Sequence, residues 1–254
     1  MKVARNIAAK LWSRRKAEKP EIAYPGLARG VVYVVGDIHG RLDCLRRAHE
    51  KIDRSAGRIG EEEAVEIYLG DYVDRGPDSR GVIDCLIARA ASHRAVFLKG
   101  NHEIMLEEFL GGRLAFSRWK NSGALPTLVS YGVDARQALG GEDIPPQALA
   151  ARIPDEHRAF LSDLRPIVTL GDYCFVHAGV RPGTPLDQQT LDDLAWIRAG
   201  FLEHKRPFER IVVHGHSAVA EAEFHHNRIN IDTGAYATGK LSVLRIDGKG
   251  PVLL

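Results

Sequence analysis

Three times in the first 110 residues, a short apolar run ends in glycine, meets a polar turn and passes into a helix-forming stretch. The first unit is Val31-Val32-Tyr33-Val34-Val35, then Gly36-Asp37-Ile38-His39-Gly40, then a helical pattern from about Leu42 to Arg54. The second runs from the apolar stretch Ala64 to Leu69 through Gly70-Asp71-Tyr72-Val73-Asp74-Arg75-Gly76 to a helix from about Ser79 to Ala90. The third joins Ala95-Val96-Phe97-Leu98 to Gly100-Asn101-His102-Glu103 and a helix through about Leu110. Continuous β-branched runs belong to strands covered on both faces. Repeated strand–turn–helix units therefore predict an α/β sheet whose site collects at the carboxyl ends of its strands. Asp71 is expected to face a metal there, with Asp74 behind it and Arg75 offering a guanidinium fork to a phosphate.

Downstream the pattern changes. Gly111-Gly112, Gly140-Gly141 and Pro145-Pro146 punctuate short helical pieces, so about 111–165 reads as a helical insertion lying over the site. Strands return at about Ile167–Leu170 and Tyr173–Val176, the latter leading into His177-Ala178-Gly179. A helix over about 187–195 precedes Trp196-Ile197-Arg198, and Ile211–Val213 runs into His214-Gly215-His216. Further strands are expected at about 222–226, 229–232 and 241–246.

Residues 1–28 read as a basic extension ahead of a catalytic domain spanning 29–254. The first 19 residues hold seven Lys/Arg and one Glu, +6, so the rest of the chain carries −4 of the net +2. That helix is expected to pack on its own domain or fray; docking to an anionic membrane surface or a partner is the second reading. The mildly acidic body carries no mark of a nucleic-acid binder. No apolar run of about 18 residues predicts a transmembrane helix, and no apolar segment near the start predicts a signal peptide. Cys44, Cys85 and Cys174 form no CxxC pair, which suits a reducing, cytoplasmic setting and small core roles.

The strand ends deliver Asp37, His39, Asp71, Asn101, His177 and His216. Oxygen and imidazole donors without thiolate suit Mn²⁺, Fe or Zn²⁺. Six such groups exceed the four ligands of a structural zinc site, so two divalent ions are expected, with Asp71 from the middle of the sheet as their bridge. A hydroxide activated by such a pair attacks phosphorus directly. The leaving oxygen then needs a proton; His102, next to Asn101, can supply it, with Asp74 holding its imidazole. Arg75 and Arg198 are the candidates for the phosphoryl oxygens. His216 is preferred over His214, which still belongs to the strand alternation. Glu103 is expected to brace its helix. His49, His93, His157 and His204 read as surface residues, and His225-His226 as a solvated strand edge.

The series GDIHG, GDYVDRG, GNHE, HAG and GH resembles the phosphoprotein phosphatase branch of the calcineurin-like metallophosphoesterases. The resemblance implies a β-sandwich flanked by helices and a dinuclear centre. One ion would take Asp37, His39 and Asp71; the other would take Asp71, Asn101, His177 and His216. It also implies His102 as general acid with Asp74, and Arg75 and Arg198 on the phosphate. Ala218 stands where many phosphodiesterases of the superfamily carry a second His, which sides with the phosphatase branch. Asn121-Ser122-Gly123 and Ile231-Asp232-Thr233-Gly234 look like the small bacterial members, whose amide at the Asn121 position reaches the phosphate. The implied activity is a metal-dependent phosphomonoesterase, first a serine/threonine protein phosphatase using Mn²⁺. The alternative is a symmetrical bis(5'-nucleosyl)-tetraphosphatase or another hydrolase of small phosphate esters. A non-catalytic phosphopeptide-binding module is the third reading.

Overall fold

The computed structural model describes residues 30–57, 64–134, 136 and 143–254. The basic segment 1–28 and the Gly140-Gly141 pair lie outside the described residues.

The three βα units form as expected. Strands β1 (Val32–Val35), β2 (Val65–Tyr68) and β3 (Ala95–Phe97) are parallel neighbours. Each is followed by a helix: α1 (Leu42–Ala56), α2 (Ser79–Ala90) and α3 (Asn101–Leu110). Two antiparallel strands, β9 (Val243–Asp247) and β10 (Gly250–Leu253), extend the sheet to the order β10-β9-β1-β2-β3. A second sheet holds β4 (Ile167–Leu170), β5 (Tyr173–Val176), β6 (Ile211–His214), β7 (Glu223–Phe224) and β8 (Arg228–Asn230) in the order β4-β5-β6-β8-β7.

Strand alternation explains how the sheets stack. Val32, Val34, Val65, Ile67 and Val96 point toward Val168, Phe175, Val213 and Ile229 of the second sheet and form the sandwich core. Tyr33, Val35 and Tyr68, on the opposite face, pack under the helices with Leu45, Ile52, Val82 and Leu86. Beyond the second sheet, Cys174, Val176 and Val212 pack against Leu194 and Phe201. The strands are thus apolar on both faces because each sheet is covered twice, once by its partner and once by helices or loops.

The 111–165 stretch contains α4 (Phe116–Lys120), α5 (Leu125–Ser130), α6 (Pro146–Ala150) and α7 (Asp155–Ser162). Phe116, Trp119, Leu128, Leu149 and Leu161 join the helical side of the core.

Four details differ from the sequence reading. The helix expected over 187–195 starts at Leu191, where the Thr190 hydroxyl accepts from Asp193 N at 3.1 Å; this is α8 (Leu191–Trp196). β10 was not anticipated because Gly250-Pro251 reads as a break, yet proline is tolerated on an edge strand. β1, not β2, is the central strand of its sheet, so Asp71 leaves a strand flanked by β1 and β3. His157 is fully buried: its Nε2 lies 2.7 Å from Asp84 Oδ1 and its Nδ1 2.8 Å from the Tyr131 hydroxyl, tying α7 to α2 and α5. No described helix is long and apolar enough to cross a membrane.

Candidate active site

Every candidate donor sits just past a strand, at the carboxyl end of β1, β2 or β3 in one sheet and of β5 or β6 in the other. The loops that carry them are knitted together by backbone hydrogen bonds. Ile38 N and His39 N both donate to Asp71 O, at 3.1 and 2.7 Å, and Gly40 N donates to Tyr72 O at 2.8 Å. Across the sandwich, Gly215 N donates to His177 O at 2.8 Å, and His216 N to Asp37 Oδ2 at 3.0 Å. Glu103, fully buried, does more than brace its own helix. Its carboxylate accepts from Gly100 N, Asp71 N and Tyr72 N at 3.0, 2.9 and 2.8 Å, so it fixes the β2 loop against the start of α3. Glycines are required where these loops touch: a Cβ on Gly100 would overlap Asp71 Oδ1, and one on Gly215 would overlap Asp37 Oδ1.

Asp71 stands between two groups of donors. Its Oδ2 lies 3.4 Å from His39 Nε2 and 3.8 Å from His102 Nε2, while its Oδ1 lies 3.3 Å from His177 Nε2. Asp71, His177 and His216 can offer ligand atoms within 4.8 Å of one another, as can His39, Asp71 and His102. Asn101 Oδ1 is 3.0 Å from His177 Nε2. His39 Nδ1 donates to Val73 O at 2.9 Å and His177 Nδ1 to Leu69 O at 3.0 Å, which aims each Nε2 lone pair at Asp71.

These residues fit divalent ions. Burial, then the neighbouring His102, holds His39 well below the usual imidazole range; burial and His216 do the same for His177. Burial and Arg198 hold His216 down to about 3. All three are therefore neutral ligands at pH 7. Burial followed by the charge of Asp232 pushes Asp37 well up, and burial also raises Asp71 and Asp232. Three buried carboxylates that repel one another call for positive charge between them. Asp37 Oδ1 and His216 Nε2 are buried with no hydrogen-bond partner among the described residues, as metal-facing atoms would be.

Beside this cluster is a second constellation. His102 Nδ1 is 2.7 Å from Asp74 Oδ2, both groups buried. Asp74 also accepts from Trp119 Nε1 and from the Thr127 hydroxyl, each at 2.7 Å, and its own N–H donates to Thr127 Oγ1 at 2.9 Å. Burial alone would lower the His102 pKa, but the Asp71 carboxylate and the Asp74 hydrogen bond outweigh it and the pKa is raised. The outward nitrogen, Nε2, lies 3.2 Å from Arg75. This arrangement can hold a proton and present it to an atom in front of the cluster.

Arg75 and Arg198 are both exposed, Arg75 beside His102 and Arg198 donating to His216 O at 3.0 Å. Asn121 is an exposed residue closing α4, two positions from Gly123, whose carbonyl accepts from Arg75 N at 2.9 Å. His214, by contrast, turns away and packs its ring against Phe201, 4.9 Å between centroids. The sequence reading gave no site role to Trp119, Thr127 or Asp232, although it singled out the segment that holds Asp232. Asp232 follows β8 in the same strand-then-carboxylate pattern and could have been found by that rule; nothing local marks Trp119 or Thr127.

The family description "Calcineurin-like phosphoesterase" matches residues 30–244. Bis(5'-nucleosyl)-tetraphosphatase PrpE [asymmetrical] of Anoxybacillus flavithermus is 26% identical over 239 residues, covering 84% of this chain and 89% of the relative. The cold-active protein-tyrosine phosphatase of a psychrophilic Shewanella superposes with a TM-score of 0.63 at 18% identity, covering 94% of this chain and 82% of that one. A protein serine/threonine phosphatase of Saccharomyces cerevisiae gives 0.55 at 14% identity, over 98% and 86% of the two chains. Both structures share the fold.

Proposed function

Because the chain belongs to the calcineurin-like phosphoesterase family, we propose that it hydrolyses phosphoric esters or anhydrides at the strand-end cluster. The observation that carries this reading is the 2.7 Å contact of His102 with Asp74 beside the buried donor groups. In this reading Asp37, His39 and Asp71 hold one divalent ion, and Asp71, Asn101, His177 and His216 hold the other. Such ions, when bound, supply a hydroxide near neutral pH and offset charge on the phosphoryl oxygens. The chain's own groups do the rest. Arg75 and Arg198 bind and orient the phosphoryl oxygens, with the Asn121 amide assisting. His102, held in orientation by Asp74, gives its proton at Nε2 to the leaving oxygen. Mn²⁺ is the proposed ion; Fe and Zn²⁺ are accepted by the same donors.

Two substrate classes suit this chemistry. Dinucleoside tetraphosphates stand first, because the likeness to an enzyme named for that substrate extends over 84% of the chain. Phosphoserine and phosphothreonine proteins are the second reading, favoured by the GDYVDRG and GNHE motifs and by Ala218 in place of a second histidine.

The protein with added Mn²⁺ should hydrolyse p-nitrophenyl phosphate, and His102→Asn should lower kcat by roughly 100-fold or more. Silence with Mn²⁺, Fe²⁺ and Zn²⁺ alike would sink the enzymatic reading. Rates on diadenosine tetraphosphate and on a phosphoserine peptide then rank the substrates. The products separate two modes of cleavage: a pair of ADP molecules means attack at the central bridge, ATP plus AMP means attack off centre.

A further inference from the structure

From the His102 side of the site a groove of about 620 Å³ runs outward, lined by Gly40, Arg41, Arg46, Arg75, Asp78 and Tyr236 among others. That volume lies in the range of small-molecule pockets. At the site end lies the Arg75 guanidinium, 3.2 Å from His102 Nε2 and stacked over one face of the Tyr236 ring, 4.6 Å from its centre. The ring, 40% exposed, also meets the edge of His39 at 5.4 Å between centroids. Arg41 fixes the backbone that presents it, one terminal nitrogen donating to Ala235 O at 2.8 Å and to Tyr236 O at 3.4 Å, while its Nε and its other terminal nitrogen donate to Asp43. Asp78 is likewise occupied, capping α2 through Gly81 N. Arg46 is different: it is exposed and makes no hydrogen bond or ion pair among the described residues. The groove thus offers two cations, Arg46 and Arg75, and one aromatic shelf.

We propose that this groove is a leaving-group subsite for a nucleotide, which starts where Arg75 holds the phosphoryl group under attack, with the departing phosphates on Arg46 and the planar base against the face of Tyr236 that Arg75 leaves uncovered. The inference rests on the assignment of His102 as the general acid. A general acid stands next to the oxygen that departs, so a groove opening past His102 and Arg75 receives the leaving group and not the phosphoryl group under attack. A serine or threonine side chain leaving there would use neither a second cation nor a stacking surface. A nucleoside polyphosphate uses both, since a base stacks on an aromatic ring and its phosphates pair with guanidinium groups. The step balances with water as the only co-reactant. The hydroxide oxygen bonds to phosphorus as the bond to the bridging oxygen breaks; that oxygen departs with its electron pair as part of the nucleotide's terminal phosphate and takes the His102 proton, and the proton lost by water restores His102.

The test compares kcat/KM for diadenosine tetraphosphate, an acidic phosphoserine peptide and p-nitrophenyl phosphate, all with Mn²⁺, in the intact protein and in three variants. Arg46→Glu and Tyr236→Ala should each lower the ratio of dinucleotide to aryl phosphate about tenfold, chiefly through KM. Tyr236→Phe, which keeps the ring, should retain the ratio. Ratios unchanged in both Arg46→Glu and Tyr236→Ala overturn the subsite while leaving the phosphoesterase intact. So does a wild-type enzyme that cleaves the aryl phosphate but not the dinucleotide, or a loss confined to the phosphopeptide. Failure of all three substrates in the wild type would overturn the enzymatic assignment, and the subsite with it.

Discussion

His39, Asp71, Asp74, Arg75 and His216 have φ of 47°, 52°, 71°, 67° and 64°, and they are the only non-glycine residues in the left-handed region among those described. Each such residue costs on the order of 1–3 kcal/mol, so the surrounding hydrogen bonds must hold it there. Aspartate and histidine tolerate the region better than most side chains; arginine has no such excuse. All five belong to the candidate site, which is where strain of this kind concentrates. Arg75 allows a direct measurement. Arg75→Gly and Arg75→Ala both delete the guanidinium, but only glycine relieves the backbone. The glycine variant should be the more stable by roughly 0.5–1 kcal/mol in urea unfolding, once the greater chain entropy of glycine is subtracted. Both variants should lose phosphate binding alike. Equal stabilities would mean that Arg75 is not strained.

At the scale of elements, the helices of the 111–165 stretch reach the site through two side chains. α4 sends Trp119 and α5 sends Thr127 to the Asp74 carboxylate, so the orientation of His102 depends on helices that contribute no candidate ligand. Trp119 is fully buried beside Phe109 and Phe116, and Trp119→Phe keeps most of that apolar contact while removing the N–H. The expected outcome is a kcat reduced about tenfold, in line with loss of a hydrogen bond to a charged group worth about 1.5–3 kcal/mol. The alkaline limb of the pH–rate profile should also move upward. With one donor fewer, Asp74 keeps more charge for the His102 imidazolium and raises its pKa further. An unchanged limb together with full kcat would show that Asp74 is oriented without α4.

For the whole molecule, the two sheets meet so that β1, β2 and β3 on one side and β5 and β6 on the other point their ends into one space. This brings Asp37, Asp71 and Asp232 together in the interior, where burial and mutual repulsion disfavour the charged forms. Ions that bind only the folded state should then raise stability markedly. At a free Mn²⁺ concentration about 100 times Kd, one site contributes about 2.7 kcal/mol, which corresponds to a Tm rise of roughly 5–10 °C for a chain of this size. Thermal melts with Mn²⁺ and with a chelator check this, and Asp71→Asn should abolish most of the difference, since in the proposed centre it serves both sites. A Tm indifferent to Mn²⁺ would contradict the proposed centre.

Local pattern was enough to find the βα units, because periodicity and strand-end glycines are written in consecutive residues. It also singled out Asp37, His39, Asp71, Asn101, His102, His177 and His216, each set in a short motif after an apolar run. Only the tertiary structure decided the rest. Trp119 and Thr127 meet Asp74 from 45 and 53 positions away, and Arg41 meets Ala235 from 194, separations over which no residue pattern constrains its partner. His157 shows the same limit from the other side, a histidine read as solvated that the fold buries between Asp84 and Tyr131. Which side chains lie at a strand end is a matter of neighbouring residues. Which of them face one another, and which arginine is left free at the mouth of a groove, depends on how two sheets and a helical layer close together.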